Sequence, residues 1–434
     1  MTTLPATTAP ALFADAPRPA DEPRGGLGRA GVVTAYLAAV AIPWNGFFLG
    51  GLLPGDLLLL LSLMLFAASD LGRPWPRLPA WAWGFAALIV VVTVAHELLP
   101  TDPLYLAQRV VVDAAGNPIP EIHTNLGVGG KYLVPIVGMP MAFAFAQLHS
   151  SGALRRLMIA FGVGSGISSF LAFAQVLGVT NLPTQLTGVP IADGRSAGLA
   201  VHPNFLATPC VMCIPIVMWF ALQPAFRDRV YGVSLGLLQL LGIYASGSRG
   251  GAAVTALAVV VSIAIMPVYR RVLPTAALFL SLIGAVAFVA SPKLGTAVLK
   301  AVRLTGGDTT ISGSDYVRSQ VGAQGIRDFK HSPIDGVGMQ VAAEAHNVYI
   351  QAMASGGLLL LAGLILFLGG ALVRAARARQ VQPLAYPLIA AVFSGAVLAS
   401  LENSLTDRLA YVPAALCALL PAVHRTKTPE VETP

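Results

Sequence analysis

Charge is scarce in this chain. Asp, Glu, Lys and Arg make up 11% of the 434 residues, 56% are hydrophobic, and the mean hydropathy is +0.73. Soluble domains carry about a quarter charged residues, so an ordinary soluble globular protein is excluded. Cysteine is nearly absent as well. Cys210, Cys213 and Cys417 all fall in apolar runs, and the Cys210/Cys213 CxxC has neither a second pair nor a histidine at zinc spacing. That leaves buried small hydrophobes rather than a disulfide framework or a metal centre. No HExxH helix, DxD pair or GxGxxG ahead of a soluble sheet occurs, and no repeat of 20–50 residues is visible. Gly127–Tyr132 (GVGGKY) resembles a phosphate loop only in its glycines, lacking the first Gly at the required spacing and a Ser/Thr after Lys131. No cofactor and no metal is expected.

What is present is a series of long apolar runs bounded by Arg, Pro, Gly and polar clusters. Such runs indicate an all-α polytopic membrane bundle, because a helix satisfies its own backbone in lipid and an open sheet does not. About twelve spans are expected, near 31–49, 53–69, 81–99, 132–149, 154–177, 203–222, 230–247, 251–268, 273–290, 347–373, 383–400 and 409–424. They form one transmembrane domain, 31–424. Residues 1–30, rich in Pro, Ala and Thr and without an apolar core, read as a disordered cytoplasmic tail, not a signal peptide; 425–434 is a second tail.

Alternate connections carry short arginine clusters, from Arg24 and Arg29 through Arg73/Arg77, Arg155/Arg156, Arg227/Arg229, Arg270/Arg271 and Arg374/Arg377/Arg379 to Arg425/Lys427. The positive-inside rule places these, and both termini, in the cytoplasm. With Arg18, that side holds 16 Lys/Arg and 7 Asp/Glu, a net of +9. The other side holds 11 and 13, a net of −2, and the two sum to the chain's +7. The basic balance thus reflects topology and a lipid bilayer, and no nucleic-acid partner is expected. The extracytoplasmic side also takes the long connections, 100–131, 178–202 and, between the ninth and tenth spans, 291–346. Connections of that length in a compact protein are usually functional or disordered.

Three extracytoplasmic stretches place basic groups at the mouths of helices: GRSAGLAVHPN (Gly194–Asn204), SGSRGG (Ser246–Gly251) and EAHNVYIQAMASGG (Glu344–Gly357). Arg195 and Arg249 could form a fork for a diphosphate, the Ser/Gly setting of Arg249 leaving backbone N–H groups able to turn towards an anion. The plainer alternatives are an Asp193–Arg195 salt bridge and an Arg249 that anchors a helix end. His346 has an unperturbed pKa suited to a general base at neutral pH, and equally could cap its helix. His202, ahead of Pro203, is the rival base or a structural turn. In the long loop, Asp315–Pro333 could form an interfacial helix presenting Arg318, Arg327 and Lys330 to phosphate or anionic sugar, or simply a solvated helix. Glu402, Asp407 and Arg408 (in LENSLTDR) are expected to pair among themselves.

The three stretches, in this order and on one side, with DGVGMQ preceding HNVYIQ and GGLL following it, resemble the O-antigen ligase/O-antigen polymerase family over about residues 150–400. The resemblance implies a membrane glycosyltransferase in the bacterial inner membrane that moves a glycan from a polyprenyl-diphosphate donor to an acceptor hydroxyl on the extracytoplasmic face, without a metal. It implies that Arg195 and Arg249 hold the diphosphate and steady the leaving group while His346 takes the acceptor's proton. Arg318, Arg327, Asn347, Tyr349 and His202 would line the substrate. Lipid A core, a second lipid-linked repeat (the polymerase reading) and a protein hydroxyl all remain open as acceptors. A solute transporter is the rival of a different class, but it would place ionisable residues near mid-membrane, and here they gather at span ends.

Overall fold

The computed structural model describes residues 26–47, 53–109, 124–192, 194–269, 309–341, 346–402, 405 and 407–422. The ninth apolar run (273–290), the C-terminal tail and most of the N-terminal tail lie outside them. The described residues are helical, with no strand among them. In chain order the helices are α1 (Gly26–Ala41), α2 (Pro54–Ser69), α3 (Ala80–Leu98), the short α4 (Pro103–Gln108) and α5 (Asn125–His149). α6 (Ala153–Val176), the short α7 (Leu182–Thr187), α8 (Pro203–Ala221), α9 (Phe226–Ser246) and α10 (Arg249–Ile265) follow. α11 (Thr309–His331), α12 (Val348–Ala378), α13 (Ala385–Leu398) and α14 (Arg408–Cys417) complete the set. The first described helix starts at Gly26, so the last five residues of the expected tail, 26–30, are helical. The glycines of GVGGKY lie inside α5, capped by the Thr124 hydroxyl on the Gly127 N–H, and form no loop.

Five helices, α3, α5, α6, α8 and α12, are long and apolar enough to cross a membrane, and α1, α2, α10, α13 and α14 are shorter apolar helices. α8 sits at the centre. Of its most apolar stretch, 89% is buried inside the protein, against 39% for α3 and for α12. A helix apolar on every side needs either protein or lipid around it, and the outer helices show the second case. Leu60, Leu61 and Met64 of α2, Val90, Val91 and Val94 of α3, Phe170 of α6 and Ile365 and Leu366 of α12 all face outward. Close crossings join the bundle; at Gly164 of α6 a Cβ would stand 1.9 Å from the Val40 carbonyl oxygen.

The helix ends sort into two groups. One joins the basic connections: His149 Nε2 lies 2.7 Å from Asp70 Oδ2, Arg155 is paired with Asp228, and Arg374 donates to the Leu420 carbonyl at 2.9 Å. The opposite end joins the segments that carry the candidate site. Asn45 donates to both Asp407 oxygens (3.0 and 2.9 Å) and accepts from the Val201 N–H (3.2 Å), while the Ser196 N–H bonds Ala245 (2.9 Å) and the Val348 N–H bonds Ala399 (2.8 Å). Arg408 Nε donates to Asp56 Oδ1 at 2.7 Å. The expected pairing within Leu401–Arg408 is therefore corrected: Arg408 and Asp407 bond to partners on other segments, and Glu402 is left for a different role.

α12 is broken at Gly356–Gly357, where Gly357 adopts φ 59°, ψ −151°. A broken helix leaves backbone groups that lipid cannot satisfy. Here residues 333–337 supply them: Leu358 and Leu359 donate to the Pro333 and Ile334 carbonyls (2.8 and 3.1 Å), and Val337 donates to Ala354 (2.8 Å). The DGVGMQ and ASGGLL motifs thus interlock. Gly357→Ala should destabilise the protein by about 1–3 kcal/mol, because that backbone region is open essentially to glycine alone; the added Cβ would also lie 2.3 Å from Ile334. Thermal unfolding in detergent measures this, and an unshifted midpoint would refute it.

Candidate functional site

The site assembles from the turn before α8, the ends of α9 and α13, the start of α10, the α11 helix and the turn before α12. Arg195 follows Gly194, whose φ of 69° closes a tight turn through reciprocal Ala192/Arg195 backbone bonds (3.3 and 2.9 Å). Its guanidinium is held in place: Nε donates to the Ser246 carbonyl at 2.7 Å and Nη2 to Asn204 Oδ1 at 2.8 Å. The side-chain stem crosses Gly247, where a Cβ would meet Arg195 Cγ at 3.0 Å. Arg195 and the SGSRGG link are therefore in contact. Arg249, two residues on, is exposed and opens α10 behind the Ser248 cap. The Ser248 and Gly251 N–H groups are taken by the Ser246 and Ser248 hydroxyls (3.2 and 3.1 Å). Those two backbone donors are therefore already engaged within the link.

His202 caps α8, its Nδ1 accepting from the Asn204 N–H at 3.1 Å. The ring edge reaches solvent, but loss of hydration against the surrounding protein, then Arg195, His346 and Arg318, push its pKa down to about 4. The ring is neutral near pH 7, and with Nδ1 accepting, its proton sits on Nε2. His202 is thus a neutral cap on α8 whose Nδ1 is already engaged, which leaves it less suited than His346 to be the base.

His346 is half-buried and has φ 46°, the single positive φ outside glycine among the described residues. Its Nδ1 is enclosed without a hydrogen-bonding partner. Burial, with Arg318 adding to it, holds the pKa below the ordinary histidine value. An unusual backbone conformation and an unsatisfied nitrogen are costs that tend to persist at functional positions. A neutral imidazole held this way can accept a proton.

Two neighbours of Arg195 complete the cluster. Asn204 is buried, takes Arg195 on its oxygen, and lies within hydrogen-bonding reach of Glu402. Glu402, after α13, is 3% exposed; burial raises its pKa to about 7 although Arg318, Asn204 and Arg195 all lower it. Leu401, next to it, packs on Gly250 beside Arg249. Asn204 was visible in the HPN motif but unremarkable there. Glu402 had no local signal, because its partners lie in α8, α11 and the loop before α8.

Of the residues expected at the site, Arg195, His202, Arg318 and His346 converge, and Arg249 adjoins them. Asn347 and Tyr349 serve the fold. The Asn347 oxygen caps α12, accepting from the Tyr349 and Ile350 N–H groups (3.0 and 3.1 Å), and the Tyr349 hydroxyl donates to Ala396 at 2.7 Å. Arg327 lies elsewhere on α11, its Nε on Gln324 at 3.0 Å, close to Tyr105. The expected Asp193 partner of Arg195, and Glu344, lie outside the described residues. Comparison with protein-family models and with curated proteins finds no match to this chain.

Proposed function

We propose that this is a bacterial cytoplasmic-membrane glycosyltransferase of the O-antigen ligase/polymerase type, with about twelve spans, both termini cytoplasmic and the site on the extracytoplasmic face. One observation carries the reading. Guanidinium groups of Arg195 and Arg318 and two neutral imidazoles, from segments more than a hundred residues apart, meet at the bundle end opposite the basic connections. Basic groups at headgroup depth suit the diphosphate of a lipid-linked donor. The neutral His346 suits the other half of the reaction. It takes the acceptor's hydroxyl proton as that oxygen bonds the anomeric carbon. The bond from that carbon to the diphosphate breaks, and its electron pair stays on the phosphate oxygen, facing Arg195 and Arg249.

Purified protein in liposomes, given a polyprenyl-diphosphate glycan, should extend one of three separately supplied acceptors: lipid A core, a second lipid-linked repeat, or a peptide hydroxyl. The acceptor extended identifies the enzyme as ligase, polymerase or protein transferase. Arg195→Lys and Arg249→Lys should each reduce transfer at least about tenfold, since an ammonium cannot reproduce a planar fork. Full activity in both would mean that neither fork is needed, and no transfer to any acceptor would remove the reading.

A further inference from the structure

We propose that Glu402 binds the donor as a carboxylic acid, donating a hydrogen bond from Oε2 to a phosphate oxygen, so that each diphosphate bound brings one proton into the site. The inference rests on the diphosphate reading above and specifies how that site handles charge.

Glu402 is almost wholly buried, and its Oε2 is enclosed with no hydrogen-bonding partner. Its remaining neighbours are Asn204, Arg195 and Arg318. Burying an ionised carboxylate with an oxygen unsatisfied is costly. As an acid, the same oxygen becomes a donor that needs an acceptor, and a phosphate oxygen supplies one. The charge balance points the same way. An ionised Glu402 would compete with an incoming anion for Arg195 and Arg318, and the acid would not. A bound diphosphate beside Glu402 would also raise the carboxyl's proton affinity further, which by linkage couples binding to protonation.

Among the described residues, the charged groups acting on Glu402 are Arg195 and Arg318, and His202, His346 and Arg249 belong to the same cluster. Guanidinium groups do not titrate in the working range. His202, with its pKa pushed to about 4, and His346, lowered from the ordinary value, are already neutral at pH 7. Glu402, held up at about 7 by burial, is the neighbour that changes charge just above neutrality. The sign is then fixed: affinity is full where Glu402 is protonated and falls as pH rises through its pKa.

The test uses the full chain in detergent and a farnesyl-diphospho-N-acetylglucosamine probe, whose two singly ionised phosphates do not titrate near neutrality. In the wild type the Kd should rise by about tenfold per pH unit above pH 7. Calorimetry in buffers of different ionisation enthalpy, near pH 8, should show uptake of close to one proton per probe bound. Glu402→Gln, a permanently neutral isostere, should bind with a Kd that no longer changes with pH. Wild-type binding that is flat from pH 6 to 9 with no proton uptake would overturn the inference and leave the diphosphate reading standing. A slope that persists in Glu402→Gln would also overturn it, since another group would then be titrating. Failure of the wild type to bind the probe at any pH would remove the diphosphate reading itself. Should Glu402→Gln fail to fold, the wild-type proton count alone decides.

Discussion

Replacing His346 by alanine is expected to slow glycan transfer by roughly 100- to 10,000-fold, the usual contribution of a positioned general base, while donor binding changes little. The separation follows from the layout. The groups that would grip a diphosphate are fixed independently of His346, Arg195 by the Ser246 carbonyl and Asn204. The imidazole sits at an unusual backbone angle with Nδ1 unsatisfied, and so contributes no hydrogen bond through that atom to the resting fold. Alanine at φ 46° is less easily accommodated than histidine, so His346→Asn, which tolerates that conformation, is the companion variant. Transfer measured in liposomes at saturating donor should be lost in both, with insertion and melting near normal in His346→Asn. A wild-type rate in either would end the role assigned to the imidazole. The pH profile adds a second readout. With the His346 pKa lowered by burial and Arg318, the base stays neutral down to below about pH 6.5. The acid limb of wild-type kcat/KM, taken at subsaturating donor so that the free enzyme titrates, should therefore fall below that value, not above it.

The second large effect concerns stability. Asp328→Asn should cost about 3–5 kcal/mol, because it removes the carboxylate that a buried guanidinium holds with two bonds. Asp328 of α11 is fully buried, and Arg109, just after α4, is 4% exposed. Arg109 holds the carboxylate with two bonds, Nε to Oδ1 at 3.0 Å and Nη2 to Oδ2 at 2.8 Å. Tyr105 and Gln324 donate to the same Oδ1, both at 2.8 Å. Tyr105 also stacks on His331 with ring centroids 3.7 Å apart. Burial and the adjoining Asp328 carboxylate raise the Tyr105 hydroxyl to about 12, so it remains a donor at every working pH. This knot ties α11 to the connection after α3, and α11 carries Arg318 into the cluster. Thermal melting should show the loss, and hydrogen exchange should place it in α11. Replacing both partners, Arg109→Met with Asp328→Leu, should recover most of the stability, since no unpaired charge is then buried. If the single variant melts like the wild type, or the double variant is no better than the single one, the knot does not hold α11.

Much of this architecture was legible without coordinates. Scarce charge and repeated apolar runs require helices with lipid or protein on every side, and the described residues are helical where those runs fall. The alternation of arginine clusters also matches the sorting of helix ends into two groups, because ion pairs and caps form only between ends that lie together. Arg195, His202 and His346 could be picked out because polar residues at the mouths of apolar helices are few. Local patterns do not reveal the structural bonds that such side chains make: Asn347 and Tyr349 flank the candidate base, and one caps α12 while the other fastens it to α13.

Apolar periodicity and arginine spacing, then, determined the helical bundle and its two unlike ends, since both depend on how each segment partitions between water and lipid. Only the tertiary structure decided which charges lie near one another. Glu402 looked like one member of a surface cluster with Asp407 and Arg408, and Arg327 looked equivalent to Arg318. Packing turned Arg408 towards Asp56 and set Glu402 against Arg195 and Arg318. It also placed Arg327 near Tyr105. The reason is that charge interactions depend on distance and burial, and for groups two hundred residues apart neither is encoded in any local stretch of chain.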